Sequence, residues 1–128
     1  MEWWSKAAAK GIAEAQYGIG DLYYYGRGVE QSFITAVDWY RKAAVQGLAT
    51  AEYDIGVLYE HGNGVEQNYA TALEWFRKAA AQGYGSALRA VGTYYAAGRG
   101  VEQNDATALE WYLLAAAEGD GIAQYNAG

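Results

Sequence analysis

Residues 51–83 read AEYDIGVLYEHGNGVEQNYATALEWFRKAAAQG, and the same pattern is written twice more at a spacing of 36 residues. Ala51, Gly56, Tyr59, Gly62, Gly64, Val65, Ala72, Trp75, Ala79, Ala80 and Gly83 are its fixed positions. Residues 15–47 repeat them as Ala15, Gly20, Tyr23, Gly26, Gly28, Val29, Ala36, Trp39, Ala43, Ala44 and Gly47. Residues 87–119 repeat them again as Ala87, Gly92, Tyr95, Gly98, Gly100, Val101, Ala108, Trp111, Ala115, Ala116 and Gly119. Trp3, Ala7, Ala8 and Gly11 at one end, and Ala123, Tyr125 and Gly128 at the other, fall in the same phase. A period of this length marks a repeat array in which each unit buries its apolar face against its neighbours.

Within one copy the spacing predicts two helices. Ala15, Ile19, Leu22 and Tyr23 recur at helical intervals and define an apolar stripe. Gly20, Gly56 and Gly92 stand beside that stripe. A glycine inside a helix costs ~1 kcal/mol against Ala, so its repetition predicts a close helix crossing. Gly26 stops the first helix and Gly28 allows a positive-φ turn. Ser32, Asn68 and Asn104 are predicted N-caps of the second helices. Ala36, Val37, Trp39, Tyr40, Ala43 and Ala44 form the buried side of that helix, and Gly47 closes it. The expected fold is all-α: a solenoid of stacked helix-turn-helix units in a single repeat domain. The units run 15–50, 51–86 and 87–122. Residues 1–14 form a partial repeat read as a second helix, and 123–128 start a further unit.

Composition narrows the function. The net charge is −6, with 13 Tyr and 5 Trp. An acidic chain lacks the basic stripe that a nucleic-acid backbone requires. The longest apolar runs fall short of the roughly 20 residues needed to span a bilayer. With no Cys, no disulfide or thiolate metal site exists. No signal peptide is visible, because Glu2, Trp3 and Trp4 follow Met1 directly, and the compartment stays open. The single histidine, His61, has Tyr25 and Ala97 at its repeat-equivalent positions, which leaves no nucleophile-base pair. The G-x-G elements sit between helices without a following G-K-[ST] and read as turns. No catalytic residue, metal site or cofactor is expected.

These residues resemble the Sel-one-like repeat (SLR) family, relatives of the tetratricopeptide repeat. The segments that carry the likeness are Ala51–Tyr59, Gly62–Val65 and Ala72–Gly83, with the opening of another unit at Ala123–Gly128. Glu30, Glu66 and Glu102 stand after the G-x-G-V turn, where the family often has Pro. The paired cysteines of some secreted bacterial members are missing. The resemblance implies a right-handed superhelix with the first helices on the concave wall, and an adaptor that binds proteins or peptides.

Positions that differ between copies are free of the demands of the stack. On the first helices they are Tyr17, Asp21 and Tyr24; then Tyr53, Val57 and Glu60; then Arg89 and Thr93. This strip is the expected partner-binding face, since Tyr gives large contact area at modest entropy cost. The alternative is that its tyrosines fill gaps between adjacent first helices. Leu113 and Leu114 replace the cationic pairs Arg41–Lys42 and Arg77–Lys78, which read as a solvated rim, and mark a secondary apolar patch. Trp39, Trp75 and Trp111 are expected to wedge between their own repeat and the next. The uncapped ends point to self-association. A protein or peptide adaptor is the leading function; an envelope protein that binds cell-wall fragments and a structural spacer are the alternatives.

Overall fold

The computed structural model describes the backbone of residues 2–118 and the side chains of 11–118. Six helices follow in chain order: α1 (Glu2–Tyr25), α2 (Phe33–Val45), α3 (Ala49–His61), α4 (Tyr69–Ala81), α5 (Gly85–Ala97) and α6 (Asp105–Ala117). The described residues hold no strand. Each helix packs on the next, most extensively within the pairs α1–α2, α3–α4 and α5–α6. The chain is therefore a helical-repeat solenoid of about 36 residues per unit.

Local chemistry explains the element ends. Ser32, Asn68 and Asn104 have extended backbones, and their side chains accept from the amides of Thr35, Thr71 and Thr107 at 3.2, 3.0 and 3.0 Å. Gly62 and Gly98 cap α3 and α5 in the left-handed conformation, at φ +70° each. Gly64 is required twice over. It has φ +76°, and a Cβ there would lie 2.7 Å from the backbone of Phe33, at the start of the preceding second helix.

The close crossing predicted at Gly20, Gly56 and Gly92 is a socket for one aromatic ring. A Cβ on Gly20 would meet the Tyr40 ring at 2.7 Å, one on Gly56 the Phe76 ring at 2.6 Å, and one on Gly92 the Tyr112 ring at 2.9 Å. Tyr40 and Phe76 are 2% and 1% exposed. The wedge of each repeat is thus the residue after the tryptophan. Trp75 is only partly buried. It packs on the cluster formed by α1–α3 rather than toward the next repeat, and the Lys78 ammonium lies 4.2 Å over its ring. This corrects the expectation for the tryptophans, because a bulky indole fits the half-open groove between units better than the glycine socket.

One predicted turn is absent. Gly11 lies inside α1 and is not among the positive-φ glycines, whereas its equivalents Gly47 and Gly83 are at +85° and +78°. After those two glycines, Leu48 and Tyr84 are drawn into core clusters. The equivalent Ile12 is 51% exposed, so no packing offsets the loss of helix. The alanine-rich flanks then carry the helix through the glycine at a cost of ~1 kcal/mol. Burial, rather than the glycine, makes this turn.

The side chains of residues 1–10 and the whole of 119–128 lie outside the described residues. So do the expected exposure of Trp3 and Trp4, the terminal unit Ala123–Gly128 and the self-association inferred from them. Among the described residues no helix is long and apolar enough to cross a membrane.

Candidate functional site

The variable residues of the first helices meet in two clusters, one at each junction between repeats. At the first, the Tyr17 hydroxyl donates to the carboxylate of Asp54, one repeat further on, at 2.6 Å. The Tyr40 hydroxyl donates to Asp21 within the first repeat. The Tyr17 and Tyr40 rings stand 5.3 Å apart. Burial, then the hydrogen bonds to Asp54 and Asp21 respectively, push both phenols up. Burial also pushes the Asp54 carboxyl up to about 6; the Tyr17 hydroxyl opposes this and the charge of Asp21 adds to it. Beside this group is a hollow of about 100 Å³ lined by Tyr24, Tyr25, Tyr40, Asp54 and Val57.

At the second junction Glu60 is the hub. It accepts from the Tyr94 hydroxyl at 2.7 Å, and the Arg99 guanidinium is 3.9 Å away. Arg99 lies over the rings of Tyr69 and Tyr94, at 5.4 and 5.9 Å. His61, largely exposed, is 3.3 Å from the other Glu60 oxygen. Tyr53 sits between Phe76 and Tyr84, with centroids at 5.3 and 5.4 Å. Burial pushes its phenol up, while the charge of Arg89 pulls it down.

The sequence-selected residues therefore divide. Tyr17 is part-buried and bonded across the junction to Asp54, which is the gap-filling role, whereas Tyr53 is part-buried and stacked on Phe76 and Tyr84 of its own unit. Asp21, Val57 and Thr93 share one register and face one second-helix position. Asp21 meets Tyr40, Thr93 hydrogen-bonds Tyr112 at 2.9 Å, and Val57 is matched by Phe76, which has no hydroxyl to satisfy. This matched alternation was visible in the sequence at a fixed offset of 19 residues. Tyr24 stacks on Tyr25 and Phe33 at 4.8 and 5.1 Å and keeps a part-exposed edge on the hollow.

Sequence reasoning missed Tyr94, Arg99 and the bond that Asp54 makes to Tyr17. The partners sit in a different repeat or beyond the turn, at offsets that a copy-by-copy comparison does not pair. The cationic rim is also more than solvated. Arg41 donates to the Tyr59 hydroxyl of the next repeat at 2.8 Å, and Arg77 does the same to Tyr95. Leu113 and Leu114, where that rim is replaced, are each about half exposed, and Leu114 lines a groove of about 480 Å³ with Arg77, Leu88 and Trp111. Among the described residues no three His, Asp or Glu side chains come together as a metal site.

The Sel1 repeat family model matches residues 1–12, 13–48, 49–84 and 85–120. A protective antigen of uropathogenic Escherichia coli, described as displaying an SLR fold, is similar at 41% identity and a TM-score of 0.84. The match covers 96% of this chain and 26% of that one. A Sel1 repeat protein from Oxalobacter formigenes is 42% identical with a TM-score of 0.83, over 87% of this chain and 46% of that one. The chain thus spans about a quarter and under half of the lengths of these two relatives. Cysteine-rich protein B of Helicobacter pylori shares the fold at 21% identity and a TM-score of 0.70, over 92% of this chain and 90% of that one. No curated protein matches the sequence. The family model spans the chain in the same 36-residue rhythm that the glycine sockets and asparagine caps repeat, and the chain belongs to the Sel1 repeat family.

Proposed function

We propose that this chain is a non-catalytic interaction module that holds a peptide or protein segment along the face shared by α1, α3 and α5. Sel1 repeats are generally protein-interaction modules and typically non-catalytic scaffolds. The observation that carries the reading is that one backbone frame is repeated while the side chains on this face change from copy to copy. Tyr24 is followed by Glu60 and Ala96, and Tyr17 by Tyr53 and Arg89. The sockets and caps, by contrast, keep one role in every copy. Tyr17, Tyr53, Val57 and Glu60 build the floor and frame of this face; Tyr24 and Arg89 are its contact residues. Hot spots on such faces are aromatic or Arg side chains, typically contributing ~2 kcal/mol or more each.

The test is selection from a random peptide library displayed on phage, followed by affinity measurement on purified protein. Enriched peptides are expected to lose at least tenfold in affinity with Tyr24→Ala or Arg89→Ala and to be indifferent to Glu74→Ala and Glu110→Ala on the second helices. No enrichment, or peptides sensitive only to the second-helix changes, would overturn the reading.

A further inference from the structure

Asp54 is an acid that the repeat does not need. Its equivalents are Gly18 and Ala90, so the same frame is completed elsewhere with no side-chain polarity at this position. Asp54 nevertheless sits part-buried beside a second carboxylate, Asp21, with burial and that neighbour pushing its carboxyl up to about 6. Each carboxylate has a phenol donor, and among the described residues neither forms an ion pair. The arrangement raises the energy of a charge that the fold could have omitted.

The second junction shows what such a combination binds. There a carboxylate and two aromatic rings flank a cation of the chain itself: the partly exposed Arg99 lies near Glu60 and over the rings of Tyr69 and Tyr94. The first junction also sets a carboxylate, Asp54, beside aromatic rings, at other repeat positions, and there the rings line a hollow. Its walls are Tyr24, Tyr25, Tyr40 and Val57, with Asp54 at its base. Arg27 lies over Tyr25 at 4.8 Å, so that ring already takes a cation on its face. The hollow is small, about 100 Å³. That suits the charged end of one long side chain and is too small for a peptide backbone.

We propose that the hollow between α1 and α3 takes the side chain of a Lys or Arg from a basic peptide segment, held by Asp54 and flanked by Tyr24 and Tyr25, with the carboxylate of Asp21 behind the Tyr40 wall. This deepens the interaction-module reading and rests on it. The occupant is cationic because the one charged side chain on the hollow is the carboxylate of Asp54, the rings attract positive charge and the chain as a whole carries −6.

The test is an NMR titration of the ¹⁵N-labelled protein with N-acetyl-arginine amide and with its neutral isostere, N-acetyl-citrulline amide. The arginine compound is expected to shift the amides of Tyr24, Asp54 and Val57, and the citrulline compound to leave them unmoved. Asp54→Asn should weaken binding at least tenfold. Tyr25→Ala, which removes an exposed wall and leaves the core intact, should weaken it severalfold. Glu74→Gln, a carboxylate on α4, should change nothing. Shifts spread over the acidic surface, equal binding of citrulline, or indifference to both Asp54→Asn and Tyr25→Ala would overturn the proposal. Library peptides that depend on Tyr24 and Arg89 yet bind Asp54→Asn unchanged would remove this site and leave the interaction face standing.

Discussion

The two junctions between repeats are built on the same backbone and solve the same problem differently. Between the second and third repeats, Glu60 is bonded to Tyr94 and accompanied by Arg99, so the buried polarity is neutralised within the chain. Between the first and second, Asp54 and Asp21 lie in each other's field, each with a phenol as its side-chain donor among the described residues. Identical frames with different electrostatics show that the stack is held by its apolar layers, and that polarity is laid over them locally. The neutralised junction is expected to act as structure. The uncompensated one bears a cost whose return lies outside the described chain.

The largest effect should come from what both junctions share. Phe76→Ala empties the socket of Gly56 in the middle of the array and is expected to cost ~3–5 kcal/mol in denaturant unfolding. A small domain has about 5–15 kcal/mol in total, so the variant should lose a third or more of its stability unless the parent lies at the top of that range. Trp75→Ala should cost distinctly less, because the indole is only partly buried. Equal costs would show that the wedge has been assigned to the wrong ring.

The matched alternation comes next. Phe76→Tyr places a hydroxyl where Val57 offers no acceptor and is expected to cost ~1–2 kcal/mol. Adding Val57→Thr rebuilds the pairing seen at Thr93 and Tyr112, and a double-mutant cycle should recover most of the loss. Additive losses would mean that the alternation is coincidence.

A smaller effect separates the junctions directly. Glu60→Gln takes the charge from a carboxylate that receives a phenol and lies by a guanidinium, and should destabilise by ~0.5–1.5 kcal/mol at pH 7. A stabilised variant would remove Glu60 from the structural class.

Much of this architecture was legible in the residues. The 36-residue phase, the caps at Ser32, Asn68 and Asn104, and the helix-closing Gly47 are local matters, set by spacing and by side chains that reach a few residues along the chain. The break expected at Gly11 failed because a glycine permits a turn that only tertiary packing enforces, and Ile12 has no cluster to enter. The wedge was placed on Trp39, Trp75 and Trp111 because they are invariant, whereas the socket tolerates Tyr or Phe and so holds the variable neighbour. Tyr17 with Asp54, and Tyr94 with Glu60, were invisible to a comparison of copies, since each pair joins two different repeat positions across a junction. The Asp21–Tyr40, Val57–Phe76 and Thr93–Tyr112 series was present in the sequence and could have been found by asking which positions change together.

The claim that the first junction holds a carboxylate against the interest of the fold is tested most directly by the stability of Asp54→Asn across pH. The folded pKa of Asp54 is about 6, above its ordinary 3.8, so the protonated form is the one favoured by folding. That contribution is present in full below about pH 4 and is lost as pH rises through about 6. Asn keeps an oxygen for the Tyr17 hydroxyl and carries no charge. The variant is therefore expected to be more stable than the parent at pH 7.5, by on the order of 1 kcal/mol after allowance for partial exposure, with the gain vanishing toward pH 4. A variant that is less stable than the parent at pH 7.5, with an unchanged pH profile, would contradict the account and make Asp54 a structural link of the same kind as Glu60.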